Sequence, residues 1–300
     1  MSLRIVFLGM LGALSALPLE RLLAAGADVR AVIVPAPVPG LALRQLLHAS
    51  PLSDIPLQPA QAHVLDIARE HRVAAWSVSD LRHPDSLVQL RALQPELLIV
   101  SCFRHILPGA WLALPRHGAW NLHPSLLPRL RGPDPIFWTF HENVQPGVSV
   151  HRMSVRVDAG PILAQAPLQF PDGISYAEAE RIVAHAGADL FLAALQALDQ
   201  GTLSAAPQHE ASASQFPLPS RADCIVTENW NVRHAFNFLR AVAELGAPRL
   251  RLAGHDFSVR KAVGYTAGAE MGEAWRISAH ELTARLADGV LRVLYFAPEP

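Results

Sequence analysis

The run Leu3-Arg4-Ile5-Val6-Phe7-Leu8-Gly9-Met10-Leu11-Gly12 decides the architecture. Leu3–Leu8 is nearly all apolar rather than alternating, the pattern of a strand buried on both faces. The glycines then turn the chain toward a helix that Pro18 is expected to open, with Leu19, Leu22 and Leu23 on one face and Gly26 as the stop. Val29–Val34 reads as a second strand, followed by a connection rich in proline (Pro35, Pro37, Pro39). A helix over Ala60–His71 turns Val64, Ile67 and Ala68 inward, and Glu96–Ser101 is a third, fully buried strand. This alternation predicts an α/β fold with a mostly parallel sheet. Phe103-Arg104-His105-Ile106-Leu107-Pro108 then falls at a strand end, where open α/β sheets place their ligands. The turn Gly9–Gly12 lacks a complete Gly-x-Gly-x-x-Gly, and Val34-Pro35-Ala36 offers no acidic residue for a ribose. A tight strand-to-helix turn explains it without a dinucleotide.

Three hundred residues suffice for two unequal domains with a real core, and 51% hydrophobic against 17% charged residues is a globular composition. A formal net charge of −1 advertises no polyanion partner, and Lys261 is the only lysine among the basic residues. Cys102 and Cys224 stand far apart without metal-ligand spacing, which fits a reduced compartment. The N-terminus runs straight into a strand rather than a signal peptide, and no apolar run reaches membrane-spanning length. A soluble, cytoplasmic chain is expected.

Farther on, Ser175-Tyr176-Ala177-Glu178 is a capping box that begins a long Ala- and Leu-rich helix ending near Gly201. Residues 202–220 shift to Ala, Ser, Pro and Gln and read as a linker. Beyond it, Asn231 caps a short helix with Val232, Ala235, Phe236 and Leu239 on one side. Strand-like runs follow at Arg249–Ala253, Phe257–Ala262, Ala274–Ser278, Glu281–Ala287 and Val290–Phe296, the last entered through the turn Asp288-Gly289. Five short strands with tight turns suggest a small barrel of the oligonucleotide-binding (OB) type over 221–300.

Chemistry concentrates in Asn121-Leu122-His123-Pro124-Ser125-Leu126-Leu127-Pro128. In an extended segment, residues two apart share a face, so Asn121 and His123 can reach one pocket. Pro124 and Pro128 stiffen the following loop, with a cis peptide expected at Leu127-Pro128. Asp158-Ala159-Gly160 supplies a carboxylate thirty residues on, in a stretch that by itself reads as an ordinary turn. An amide to donate to an oxyanion, an imidazole to handle protons and a carboxylate to orient it suit attack of an amine on a carbonyl carbon. Asp134 before Pro135 reads first as a helix N-cap and second as a contact to a cationic amine. Arg131 could meet an anionic group or be a solvated loop residue.

The segment Asn121–Trp138, with Leu-Pro-Arg-Leu-Arg-Gly at 127–132, resembles the signature of the folate-dependent formyltransferases. Val150-His151-Arg152-Met153 with Asp158-Ala159-Gly160 resembles the formyltransferase domain acting on UDP-4-amino-4-deoxyarabinose. The resemblance implies a Rossmann-like formyltransferase domain over 1–201, with the linker and OB-like domain after it. It implies Asn121, His123 and Asp158 as catalytic residues, with Asn121 and a protonated His123 stabilising the oxyanion. It also implies 10-formyltetrahydrofolate as co-substrate, expected beside Phe103, Arg104, His105, Ile106 and Leu107, and no metal. Ser125, Arg131 and Asp134 are the candidate acceptor contacts, Asp134 standing where related enzymes carry a small residue.

For the acceptor, residues 221–300 carry ten Arg or Lys against nine Asp or Glu, and Pro35–Leu43 has no basic residue. A phosphate-rich acceptor calls for basic surface. A small amine such as a nucleotide-linked amino sugar or a modified amino acid is therefore favoured, with tRNA as the alternative because Arg249, Arg251, Arg260 and Lys261 cluster on neighbouring strands. Water as acceptor, giving a 10-formyltetrahydrofolate hydrolase, is a further alternative. A non-catalytic folate- or RNA-binding protein would leave His123 dispensable. Oligomeric state is not legible in the sequence.

Overall fold

A computed structural model describes residues 3–46, 64–246 and 248–296. In chain order the elements begin with β1 (Ile5–Gly9), α1 (Ala13–Ala24), β2 (Val29–Pro35), β3 (Arg44–Gln45), α2 (Val64–Glu70), β4 (Ala74–Val78) and α3 (Pro84–Ala92). Then come β5 (Leu97–Ser101), α4 (Gly109–Ala113), β6 (Ala119–His123), α5 (Pro135–His141), β7 (Gly147–Arg152), β8 (Ile162–Pro167) and α6 (Tyr176–Asp199). The remainder is β9 (Ile225–Thr227), α7 (Val232–Val242), β10 (Arg249–Leu252), β11 (His255–Ala267), β12 (Trp275–Ser278), β13 (Glu281–Leu286) and β14 (Gly289–Tyr295). The start of the helix expected over 60–71 lies outside the described residues; α2 is its described part.

Two compact units divide the chain. The first comprises Met1–Gly132, Gly147–Leu168 and Glu180–Gln215, and the second Pro133–Pro146, Gln169–Ala179 and Phe216–Pro300.

An eight-stranded sheet in the order β3-β4-β2-β1-β5-β6-β7-β8 forms the first unit. Its five central strands run parallel, while β3, β7 and β8 pair antiparallel with their neighbours. This is the α/β, mostly parallel arrangement that the sequence predicts. Strand β1 lies in the middle, so both its faces are buried: Val6 and Leu8 join Ile33, Leu98, Val100 and Trp111 in one core cluster.

The entry to α1 differs from expectation, because the helix begins at Ala13 and Pro18 sits inside it. A proline there lacks the N–H that would close on the Leu14 carbonyl. The buried Ser101 hydroxyl donates to that carbonyl instead, and the Ser15 hydroxyl donates to the Ser101 carbonyl at 2.5 Å. The vacancy left by Pro18 thus joins the helix to the end of β5. Gly12 holds φ +110, and a Cβ on Gly9 would meet Ser15 Cβ at 2.9 Å, so the glycines make a tight turn.

Helix α6 packs its Glu180–Asp199 part on this sheet. A Cβ at Gly187 would approach Leu122 Cδ1 to 2.1 Å, so the glycine lets helix and strand meet closely. Helix α6 is long and apolar enough to cross a membrane by length and composition. Its Val183, Ala184, Ala188 and Phe191 are nevertheless buried in the fold. The capping box at its start is present: Glu178 N donates to Ser175 Oγ, and Ser175 N donates to the Glu178 carboxylate.

In the second unit, six strands run in the order β12-β13-β14-β11-β10-β9. Asn231 caps α7 by accepting from Arg233 N and His234 N, as its position predicts. The buried face is Val232, Ala235, Phe238 and Leu239. Phe236, expected there, is half-buried and packs beside Tyr265.

Candidate active site

Strand β6 delivers two polar side chains at its carboxyl end. Asn121 is half-buried and His123 buried, with Trp120 and Leu122 between and before them packed in the core. The loop after β6 is held by its own polar groups. Ser149 Oγ donates to the Ser125 carbonyl and accepts from Leu127 N, while Gln165 Nε2 donates to the Leu127 carbonyl. The Leu127-Pro128 peptide is cis, as expected from the paired prolines. Beyond it Leu130 takes φ +57, which directs its carbonyl at His123 Nε2, 2.8 Å away.

That contact assigns the imidazole tautomer. A carbonyl only accepts, so Nε2 carries the proton and Nδ1 holds the lone pair in the neutral ring. His123 Nδ1 faces Asp158 Oδ1 at 3.7 Å. Burial holds His123 below its ordinary pKa, and the Asp158 carboxylate pulls the other way without overcoming it. Burial thus favours the neutral ring.

Asp158 sits in the turn between β7 and β8 with φ +51, and its Oδ2 accepts from Gly132 N at 2.9 Å. Burial alone would raise its pKa. His123, His151 and the Gly132 amide outweigh that and bring the carboxyl to about 2. A Cβ on Gly160 would collide with the Arg152 carbonyl at 1.8 Å, so only glycine lets the turn close here.

One site residue was missed in the sequence reading. His151 lies opposite Asn121 in the β6–β7 register and is buried. Its Nε2 is 3.2 Å from Asn121 Nδ2 and 3.6 Å from Asp158 Oδ1, while Nδ1 lies 3.2 Å from the Arg152 carbonyl. With Nδ1–H donating to that carbonyl, Nε2 accepts from the Asn121 amide and fixes which way it points. The available signal was a histidine in the strand-like run Gly147–Arg152, but its partner follows only from the antiparallel pairing.

The other expected residues divide. Ile106 is 75% exposed, and Phe103 is half-buried. Arg104 is exposed, with its guanidinium 3.4 Å from the Ala36 carbonyl. His105 meets Phe103 edge-on, and its Nε2 is buried without a hydrogen-bond partner. Leu107 is a correction: it belongs to the core cluster beneath the loop and anchors it.

Ser125 and Arg131 are also corrections. The buried Ser125 hydroxyl donates to the Arg129 carbonyl at 2.7 Å. The Arg131 guanidinium is 4% exposed at the residue level and is taken up by Gln208 and Glu210. Asp134 lies in the second unit and caps α5, accepting from Phe137 N and from the Tyr176 hydroxyl.

Four apolar side chains project from loops after β1, β5 and β7 in the first unit. Leu11, Ile106, Val155 and Val157 are 57%, 75%, 78% and 42% exposed, and Val155 reaches within 3.8 Å of a Cβ position at Gly109. Among the described residues no group of His, Cys, Asp and Glu is placed to hold a metal ion.

The profile of the formyl transferase family matches residues 3–195. A methionyl-tRNA formyltransferase of Syntrophomonas wolfei is 33% identical over 170 residues, covering 56% of this chain and 54% of that protein. Another, from Roseiflexus castenholzii, is 33% identical over 234 residues, covering 75% of this chain and 68% of that protein. The chain thus spans about half the length of the first relative (54%). WlaRD, a sugar 3N-formyl transferase solved in the presence of dTDP and 5-N-formyl-THF, shares the fold with TM-score 0.68, 15% identity and full coverage of both chains. HypX from Aquifex aeolicus in complex with tetrahydrofolic acid has TM-score 0.61 and 17% identity, covering 98% of this chain and 44% of that one.

Proposed function

We propose that this chain, which belongs to the folate-dependent formyltransferase family, moves a formyl group from 10-formyltetrahydrofolate to the primary amine of a small acceptor. The observation that carries the reading is the meeting of Asn121, His123 and Asp158 at the end of β6, with His123 Nδ1 3.7 Å from Asp158 Oδ1. In this reading Asn121, fixed by His151, donates an N–H to the formyl oxygen as charge develops there. His123 takes the amine proton on Nδ1 as the new C–N bond forms, and Asp158 stabilises the resulting imidazolium. That proton then passes to N10 of the folate, directly or through a water, as the N10–C bond breaks. Tetrahydrofolate and an N-formylated acceptor are the products. Leu11, Ile106, Val155 and Val157 are assigned to the apolar ring system of the co-substrate, with Phe103, Arg104 and His105 beside it.

The same reading takes 1–201 as the catalytic domain, 202–220 as the connecting stretch and 221–300 as an OB-like C-terminal domain, in a cytoplasmic enzyme. The small acceptor is supported by charge. Arg249 and Arg251 face Asp256, and Arg292 faces Glu281. Two members of the basic cluster read from the sequence, Arg249 and Arg251, thus share one carboxylate of their own unit. Initiator methionyl-tRNA is the second reading, favoured by the names of relatives at 33% identity. The test is tetrahydrofolate release from 10-formyltetrahydrofolate with nucleotide-linked amino sugars, with initiator methionyl-tRNA, or with no acceptor. An amine-dependent rate with a formylated sugar supports the proposal. Stimulation by the tRNA alone moves the acceptor, and equal rates without any amine identify a hydrolase.

A further inference from the structure

Within the stretch 202–220, whose composition suggested a bare linker, residues 206–215 run along the first unit as a strap. Ala206 pairs with Ile162 in both directions at 2.8 Å, just past the turn that carries Asp158. At the other end Ser214 N donates to the Pro128 carbonyl, Arg131 N to the Ser214 carbonyl, and Leu130 N to Ser214 Oγ. The strap is therefore bonded to both loops that build the site: the one whose Leu130 carbonyl meets His123, and the one that holds Asp158.

Between these ends stands Gln208. Its Oε1 accepts from Arg131 Nε and Nη2 at 3.1 and 2.7 Å. Its Nε2 donates to the carbonyls of Asp158 and Gly160 at 2.8 and 2.7 Å. Arg131 also pairs with Glu210, whose carboxyl Arg131 and Arg156 hold down at about 2. Asp158 needs such a hold. Its left-handed φ is an uncommon conformation for a side chain other than glycine and persists where surrounding bonds impose it. Gln208 fixes the carbonyls on either side of Ala159, and Gly132 N fixes the carboxylate.

We infer that Gln208 is a positioning residue that holds the Asp158 turn against His123, so that the strap completes the site. This rests on the reading of Asn121, His123 and Asp158 as the catalytic group.

The informative variant is Gln208→Glu. It keeps an oxygen acceptor for Arg131 but loses the N–H donors to Asp158 and Gly160. With kcat and KM measured for both substrates, kcat is expected to fall roughly tenfold to a hundredfold, the effect of a small misplacement at a reacting centre, while both KM values stay within about threefold of the parent. Gln208→Ala, which removes both contacts, should fall at least as far. In protein carrying 15N-labelled histidine, with the His123 signals assigned through His123→Gln, both Gln208 variants should move the His123 resonances, and Gln208→Ala, which adds no charge, should lower their titration midpoint. A role confined to supporting Arg131 would leave kcat and the His123 signals of Gln208→Glu at parental values, and that result overturns the inference. The spectra need no substrate. A parent protein without formyl transfer refutes the proposed function, whereas an active parent with an indifferent Gln208→Glu refutes only the inference.

Discussion

Among single residues, what each group can do depends on which proton it holds. Asn121 has one N–H engaged by His151, so the other can serve a developing oxyanion. Asn121→Ala should lower kcat on the order of a hundredfold, as removal of an oxyanion donor does elsewhere, with little change in the KM for folate. His123 carries a second, catalysis-independent signature. Its pKa is depressed in the fold by burial, so below about pH 6.5 the unfolded chain binds a proton that the folded one refuses. Stability contributed by the neutral ring is present above that pH and is lost as pH falls toward the folded value. Urea unfolding at pH 7 and pH 5 should show a smaller loss on acidification for His123→Gln than for the parent. Asp158 acts in a lower window: its contribution, on the order of 2 kcal/mol, holds above about pH 4 and is lost as pH falls through about 2. Asn121 and His123 were legible because a two-residue spacing on a strand has one geometric meaning. His151 was not, because its role depends on register with a strand thirty residues away.

At the scale of elements, the site is a set of loops held by backbone geometry and by polar staples. Gly160 shows how narrow the tolerance is, with the Arg152 carbonyl where a Cβ would stand. Gly160→Ala should force the β7–β8 turn apart, cost about 1–3 kcal/mol as overpacking does, and lower Tm by several degrees. Turnover should fall further than stability explains, because Asp158 moves with the turn; differential scanning calorimetry alongside kcat checks both. Three strands of the first third, β1, β2 and β5, were readable from unbroken apolar runs, whereas β3, β4 and α3 were not read. Pro18 misled because its missing N–H is a local rule, whereas Ser101, far along the chain, supplies the donor that lets α1 continue through it. Composition likewise marked 202–220 as a linker, since Ala, Ser, Pro and Gln say nothing of where Gln208 and Ser214 find partners. Arg131 and Ser125 read as ligand contacts because their polarity is visible in sequence and their burial is not.

At the scale of the whole molecule, formyl transfer and acceptor choice rest on different features. The proposed transfer chemistry uses residues of the first unit, and the family match over residues 3–195 takes in most of that unit together with the segments Pro133–Pro146 and Gln169–Ala179 of the second. Acceptor choice rests on charge, and in the second unit Arg233, Arg249, Arg251 and Arg292 meet carboxylates of that same unit. A small acceptor predicts a shallow salt dependence, with kcat/KM changing less than about tenfold between 50 and 200 mM salt. An acceptor bound through many phosphates would lose roughly a thousandfold or more over that range. The second sheet was anticipated strand by strand from short alternating runs and the Asp288-Gly289 turn, although β9 went unnoticed because three residues make too short a pattern. The central claim is tested most directly by tetrahydrofolate formation from 10-formyltetrahydrofolate with an amino-sugar nucleotide, comparing the parent with Asn121→Ala and His123→Gln. Release in the parent matched mole for mole by N-formyl product, and cut on the order of a hundredfold or more in both variants, is the predicted result. Parental rates in either variant, or no release by the parent with any amine, would contradict it.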